Sequence, residues 1–199
     1  RTTAAELDAL APAVGERLGL PVALRLIPYG RDAGEQAEIL RRMALDIAEG
    51  DAVTLDVTHG LRHLPMLAQM SALYLRRVKN VEVRGLYYGA LDMTRDGLTP
   101  VMNLQGLLDI ADWTGAVQSF DKDDDYSVFA PLIREQTPTA AGLLQESAFY
   151  ERTTRPGQAR GKLRELDALL YRQPLAGIGS LFAPTLRATR LWRPSAPTT

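Results

Sequence analysis

The chain is 199 residues long, 46% apolar and 24% charged, with a formal net charge of -1. That balance belongs to a globular protein; it excludes a disordered chain and a protein that coats nucleic acid, DNA included, by bulk electrostatics. Cysteine is absent, which removes disulfides, thiolate nucleophiles and zinc–thiolate sites and is compatible with a reducing, cytoplasmic setting, and no stretch approaches the roughly 20 apolar residues of a membrane span, so no membrane partner is expected.

The chain opens on Arg1 rather than methionine and is expected to be part of something longer. Residues 3–19 have helical spacing, with Leu7, Leu10, Val14 and Leu18 at three- and four-residue steps and Gly19 as the stop. "PVALRLIPYG" (21–30) alternates Val22, Leu24 and Leu26 with Ala23 and Arg25, which predicts a first strand closed by Pro28 and Gly30. Helical spacing returns over 33–50 through Ile39, Met43 and Ile47. A second strand is predicted at 51–57, a long helix at 61–80, and a third strand at 81–89.

Alternating strands and helices predict parallel strands joined by helical crossovers, hence a Rossmann-like α/β sheet covered by helices on both faces. Such sheets bind ligands at the carboxyl ends of their strands, where the loops 28–33, 57–62 and 87–93 are expected to meet. After "TPVMNL" (99–104) no further strand is expected, and four helical stretches follow at 103–120, 125–136, 139–153 and 158–173. The boundary is read near residue 120, giving a sheet domain over 1–120 and a helical region over 121–199. The acidic run at 121–127 lacks the central Gly and terminal Glu of a calcium loop and is read as a linker or helix start. The tail 190–199 is expected to be unstructured after Trp192.

The chain's two histidines, His59 and His63, share one turn, "LDVTHGLRHLP" (55–65). Thr58 is suited to cap the following helix, Gly60 to an unusual dihedral or a close ligand approach, and Arg62 to a forked grip on phosphate or carboxylate. The helix N-terminus adds exposed amides, and Pro65 fits its first turn. With Asp56, the four-residue spacing of His59 and His63 also suits a metal-dependent hydrolase, although Gly60 stands where the helical zinc motif has Glu. No metal is the preferred reading. Neither a G-x-S-x-G elbow, a Walker loop nor a G-x-G-x-x-G fingerprint occurs.

Asp56-Val57-Thr58-His59-Gly60, followed by Leu61-Arg62 and Leu64-Pro65, resembles the D-x-T-H-G signature of a CRISPR-associated family whose members carry a CARF (CRISPR-associated Rossmann fold) domain. "IPYG" (27–30), "LYYGALDM" (86–93), "TPVMNLQGLLDIADW" (99–113) and "AVQSFDKDDD" (116–125) follow the family's order and spacing. The resemblance covers residues 20–130 well and the rest loosely. It implies a first strand ahead of residue 1, and a sensor of type III CRISPR defence that binds cyclic oligoadenylate across a homodimer. Thr58, His59, Gly60 and Arg62 would then face the ribose–phosphate ring, with Tyr29 or Tyr88 stacking on adenine beside Gly30 and Gly89.

In many members a helical HEPN ribonuclease domain follows, which cuts single-stranded RNA with a paired Arg and His and without metal. Here no histidine follows His63, so residues 121–199 are expected to be an incomplete or degenerate HEPN region. Cleavage of the ring by the sensor itself, assisted by His59 or Arg62, is a further expectation the resemblance carries. A binding-only dimeric scaffold stays open as the alternative.

Overall fold

The computed structural model describes residues 4–188. The tail expected at 190–199, and Thr3 of the first predicted helix, lie outside the described residues. The chain divides into two compact units, residues 1–104 and 105–199. The division falls before the composition change read near residue 120, because a single helix runs unbroken from Gln105 to Asp123.

In the first unit, α1 (Ala4–Leu18) and α2 (Ala33–Leu45) precede β1 (Ala52–Asp56), α3 (Leu64–Val78), β2 (Glu82–Gly89) and β3 (Val101–Asn103). The sheet order is β1-β2-β3. β1 and β2 run parallel across the α3 crossover, in register Ala52↔Glu82 through Asp56↔Tyr87, with an irregularity at Val53/Thr54. β3 returns antiparallel, pairing Tyr87↔Asn103 and Gly89↔Val101. The core is apolar and drawn from α2, α3 and β2, with Ile39, Ala72, Leu75, Val83 and Leu86 inside them and Val57, Val81 and Ala90 at strand ends. Lys79, at the end of α3, donates to the carbonyls of Ala44 (2.7 Å) and Ile47 and so ties α3 to the end of α2.

The mixed α/β class read from the sequence holds, with a helical C-terminal part. The strand predicted at 21–30 is a correction: among the described residues the segment forms no regular element and pairs with no strand. Side chains take its carbonyls instead, Arg42 donating to Leu26 and Gln36 to Gly30. Alternation of Val22, Leu24 and Leu26 satisfies only the side-chain half of the strand rule; the backbone half needs a neighbouring edge. Without that sheet layer Leu10, Val14 and Leu18 of α1 stay 50%, 42% and 61% exposed rather than packed. The second and third predicted strands, β1 and β2, are parallel as expected, and the sheet gains an antiparallel β3, reached by a hairpin whose Arg95 and Leu98 exchange backbone bonds.

The second unit is helical: α4 (Gln105–Asp123), a short 3-10 turn (Tyr126–Phe129), α5 (Ala130–Ile133), α6 (Pro138–Arg152), α7 (Pro156–Arg172) and α8 (Ile178–Ala188). The acidic run closes α4 through Asp123 and starts the 3-10 turn at Asp125, which accepts from Ser127 N at 2.9 Å and pairs with Arg152 at 3.1 Å. Its core is aromatic at the centre, with Trp113 stacked on Phe182 (5.1 Å) and Phe120 tilted on Phe129 (5.8 Å). α6 packs along α7. Between them Ser147, fully buried, receives a bond from or gives one to the Tyr126 hydroxyl (2.9 Å) while donating to Ala159 O (3.0 Å). A hydroxyl can donate only once, so the Tyr126 O–H points to Ser147.

Ser147→Ala leaves the buried Tyr126 hydroxyl without its Ser147 partner and is expected to cost about 1–3 kcal/mol in chemical denaturation, more than Tyr126→Phe. Burial also pushes the Tyr126 phenol up to about 12.

Candidate ligand-binding site at the strand ends

β1 ends at Asp56, and one more backbone bond, Val57 N to Tyr87 O at 2.8 Å, carries its pairing with β2 past the strand. The chain then turns. Thr58 N donates to Asp56 Oδ1 at 2.8 Å, closing the turn on its own carboxylate. The hydroxyl departs from the sequence expectation. Instead of capping α3, Thr58 Oγ1 accepts from Gly89 N at 2.7 Å, across 31 residues. The cap position belongs to His63, which makes no side-chain cap bond, and Pro65 stands in the first turn as expected.

Gly89 is buried, and a Cβ there would meet Thr58 Cγ2 at 3.1 Å and Oγ1 at 3.2 Å. Its missing side chain is what lets the hydroxyl reach the amide. The Thr58 hydroxyl and backbone N–H together hold the Asp56 carboxyl below its ordinary range, and the nearby His59 adds to the effect. Asp56, Thr58 and Gly89 thus form one chain of bonds that locks the 57–62 loop to the 87–93 loop.

Loop 28–33 is locked to the same turn from the other side. His63 Nε2 lies 2.5 Å from Tyr29 O. Gly30, buried with φ +78°, sits beneath Leu67, Ile39 and His63. Arg31 N donates to Glu35 Oε2 at 2.9 Å, and the Arg31 guanidinium grips the same carboxylate while lying 6.0 Å from the Tyr29 ring centroid. Asp32 caps α2 by accepting from Glu35 N at 2.9 Å. The three loops expected at the carboxyl edge therefore converge, on bonds between side chains and backbone rather than on an apolar contact.

Of the residues singled out in the sequence, Gly30, Thr58 and Gly89 lie inside this framework. Tyr29, His59, Gly60 and Arg62 line its exposed rim, and Tyr88 is half-buried in β2 opposite Met102 of β3. Gly60 does adopt an unusual dihedral, φ +138°, with Leu64 Cδ1 only 3.1 Å from where a Cβ would stand. Among the described residues Arg62 has no ion-pair partner, so the fork faces solvent. His63 is turned inward, and no three His, Cys, Asp or Glu side chains gather to hold a metal among the described residues. Arg31 is a rim cation the sequence reading passed over; the Asp32-x-x-Glu35 spacing of a capping box was its signal.

Arg31 supplies the largest effect on Glu35, first through its side chain and then its N–H, and lowers the carboxyl to about 2. A depressed carboxyl stabilises the fold above its unfolded value and loses that contribution as pH falls through the folded one. The Arg31–Glu35 grip is therefore expected to persist through pH 4 and to release only near pH 2, read as the titration of the Glu35 carboxyl carbon by NMR.

Residues 10–92, which include all three loops but for the last residue of the third, match the family described as "CRISPR system endoribonuclease Csx1, CARF domain". The chain is also similar to the CRISPR-associated protein MJ1674 of Methanocaldococcus jannaschii, 27% identical over 150 residues that cover 73% of this chain and 24% of that protein. It thus spans about a quarter of the length of the relative it matches. Among the described residues no helix is long and apolar enough to cross a membrane. Over residues 10–92 the chain is thus similar to the CARF domain of CRISPR-associated proteins.

Proposed function

We propose that this protein is an ancillary sensor of type III CRISPR defence that binds cyclic oligoadenylate across a homodimer and so controls a ribonuclease output. The observation that carries the reading is the convergence of three loops within the matched CARF region. A fixed backbone, tied by Thr58 to Gly89 and by His63 to Tyr29, presents Arg62, His59, Arg31 and Tyr29 outward. Guanidinium forks suit the phosphodiesters of such a ring and an exposed tyrosine suits its bases. A two-fold axis presents every rim residue twice, which matches a ligand that repeats one nucleotide around a circle.

The ribonuclease output belongs to the longer protein. Residues 105–199 contain no histidine, so a paired Arg–His reaction is not built from them. Titration calorimetry with cyclic tetra- and hexa-adenylate tests the sensor reading: one ring is expected to bind at about micromolar affinity or tighter, a free energy of about −8 kcal/mol or more. Absence of heat with every ring size would leave the scaffold reading in its place.

A further inference from the structure

We infer that His63 is a positioning residue that couples the Tyr29–Arg31 tip to the Thr58–Arg62 turn. The inference rests on the proposed sensor reading for its ligand half and on geometry alone for the rest. His63 stands at the junction of two elements: its carbonyl accepts from Leu67 N at 3.1 Å and starts α3, while its ring reaches Tyr29 O, 34 residues earlier. A carbonyl oxygen only accepts, so Nε2 carries the hydrogen. That assignment takes Nε2 out of consideration as a metal ligand and leaves the bond intact whether or not Nδ1 is also protonated.

The tip has other fastenings, but they lead elsewhere. Gln36 Nε2 donates to Gly30 O at 3.2 Å and Glu35 takes Arg31 N, and both side chains belong to α2. The His63 bond runs instead to the start of α3, whose preceding turn holds His59 and Arg62. Gly30 packs directly beneath the imidazole, its ideal Cβ position 3.4 Å from Nε2, so the ring fills the seam between loop and helix as well as bonding across it. A ligand that touches both Tyr29 and Arg62 would therefore meet two loops already held at a fixed separation, and would not have to order one against the other on binding.

Full-length His63→Ala and His63→Gln test this, because the glutamine amide N–H can replace the Nε2 donor. Amide hydrogen exchange at residues 29–31 is expected to rise about tenfold or more in His63→Ala while exchange at 83–86 of β2 stays at the wild-type rate. Affinity for the bound ring is expected to fall about tenfold. His63→Gln is expected to restore most of both. Unchanged exchange at 29–31 in His63→Ala, or a glutamine variant that behaves like alanine while β2 exchanges normally, would overturn the inference. If the wild-type chain binds no ring, the sensor reading fails separately, and the exchange measurement alone decides the role of His63.

Discussion

Gly30→Ala is expected to loosen the first unit more than any other single methyl added at the rim. Gly30 holds φ +78°, where an L side chain costs about 1–2 kcal/mol, and its Cβ would stand 3.1 Å from Leu67 Cδ1 and 3.2 Å from Ile39 Cδ1, adding about 1–3 kcal/mol of overpacking. Restricting the unfolded chain returns only about 0.4–1 kcal/mol, for a net loss of about 1–5 kcal/mol. Ile39 is 2% exposed and cannot move outward without opening the core between α2 and α3. Urea denaturation followed by far-UV circular dichroism reads the shift. A wild-type midpoint would mean that the tip is not seated beneath His63, Leu67 and Ile39. By contrast, Gly97→Ala, strained by φ +75° but with no atom within 4 Å, meets only the dihedral part of the penalty.

Arg62→Ala is expected to leave the fold alone and to weaken the ring. The side chain is exposed and has no ion-pair partner among the described residues, so stability should change by less than about 0.5 kcal/mol. A hydrogen bond to a charged group contributes about 1.5–3 kcal/mol, which predicts an affinity loss of about 10–150-fold in calorimetry. Arg62→Lys keeps the charge without the fork and should fall between the two. Binding should also weaken as salt is raised, since an exposed phosphate contact is screened. Unaltered affinity in Arg62→Ala would remove that residue from the ligand surface.

What the sequence disclosed and what it hid divide along the range of the interactions. Helical spacing is local, so α2, α3, α4, α6 and α7 were legible to within a few residues. α8 was not anticipated, since Gly177, Gly179 and Pro184 mask its period. The 21–30 segment has strand-like alternation, but whether it joins a sheet depends on an edge elsewhere. The turn after β1 shows the same limit within a few residues. Its residue types signalled a polar, anion-tolerant corner, yet a local capping rule assigned Thr58 to α3 when its partner, Gly89, lies 31 residues on. The sequence offered His63 only a metal spacing with His59 and Asp56, because its partner, Tyr29 O, is a backbone atom and leaves no trace in composition. The Arg31–Glu35 pair, separated by four residues, was within reach of a local rule.

The account depends on two copies of one rim enclosing one ring. Native mass spectrometry of the full chain with cyclic tetra- or hexa-adenylate measures this directly. The account predicts one ring retained per two chains, and its loss in Arg62→Ala. A ring held by a single chain, or none retained at any ring size, would contradict it.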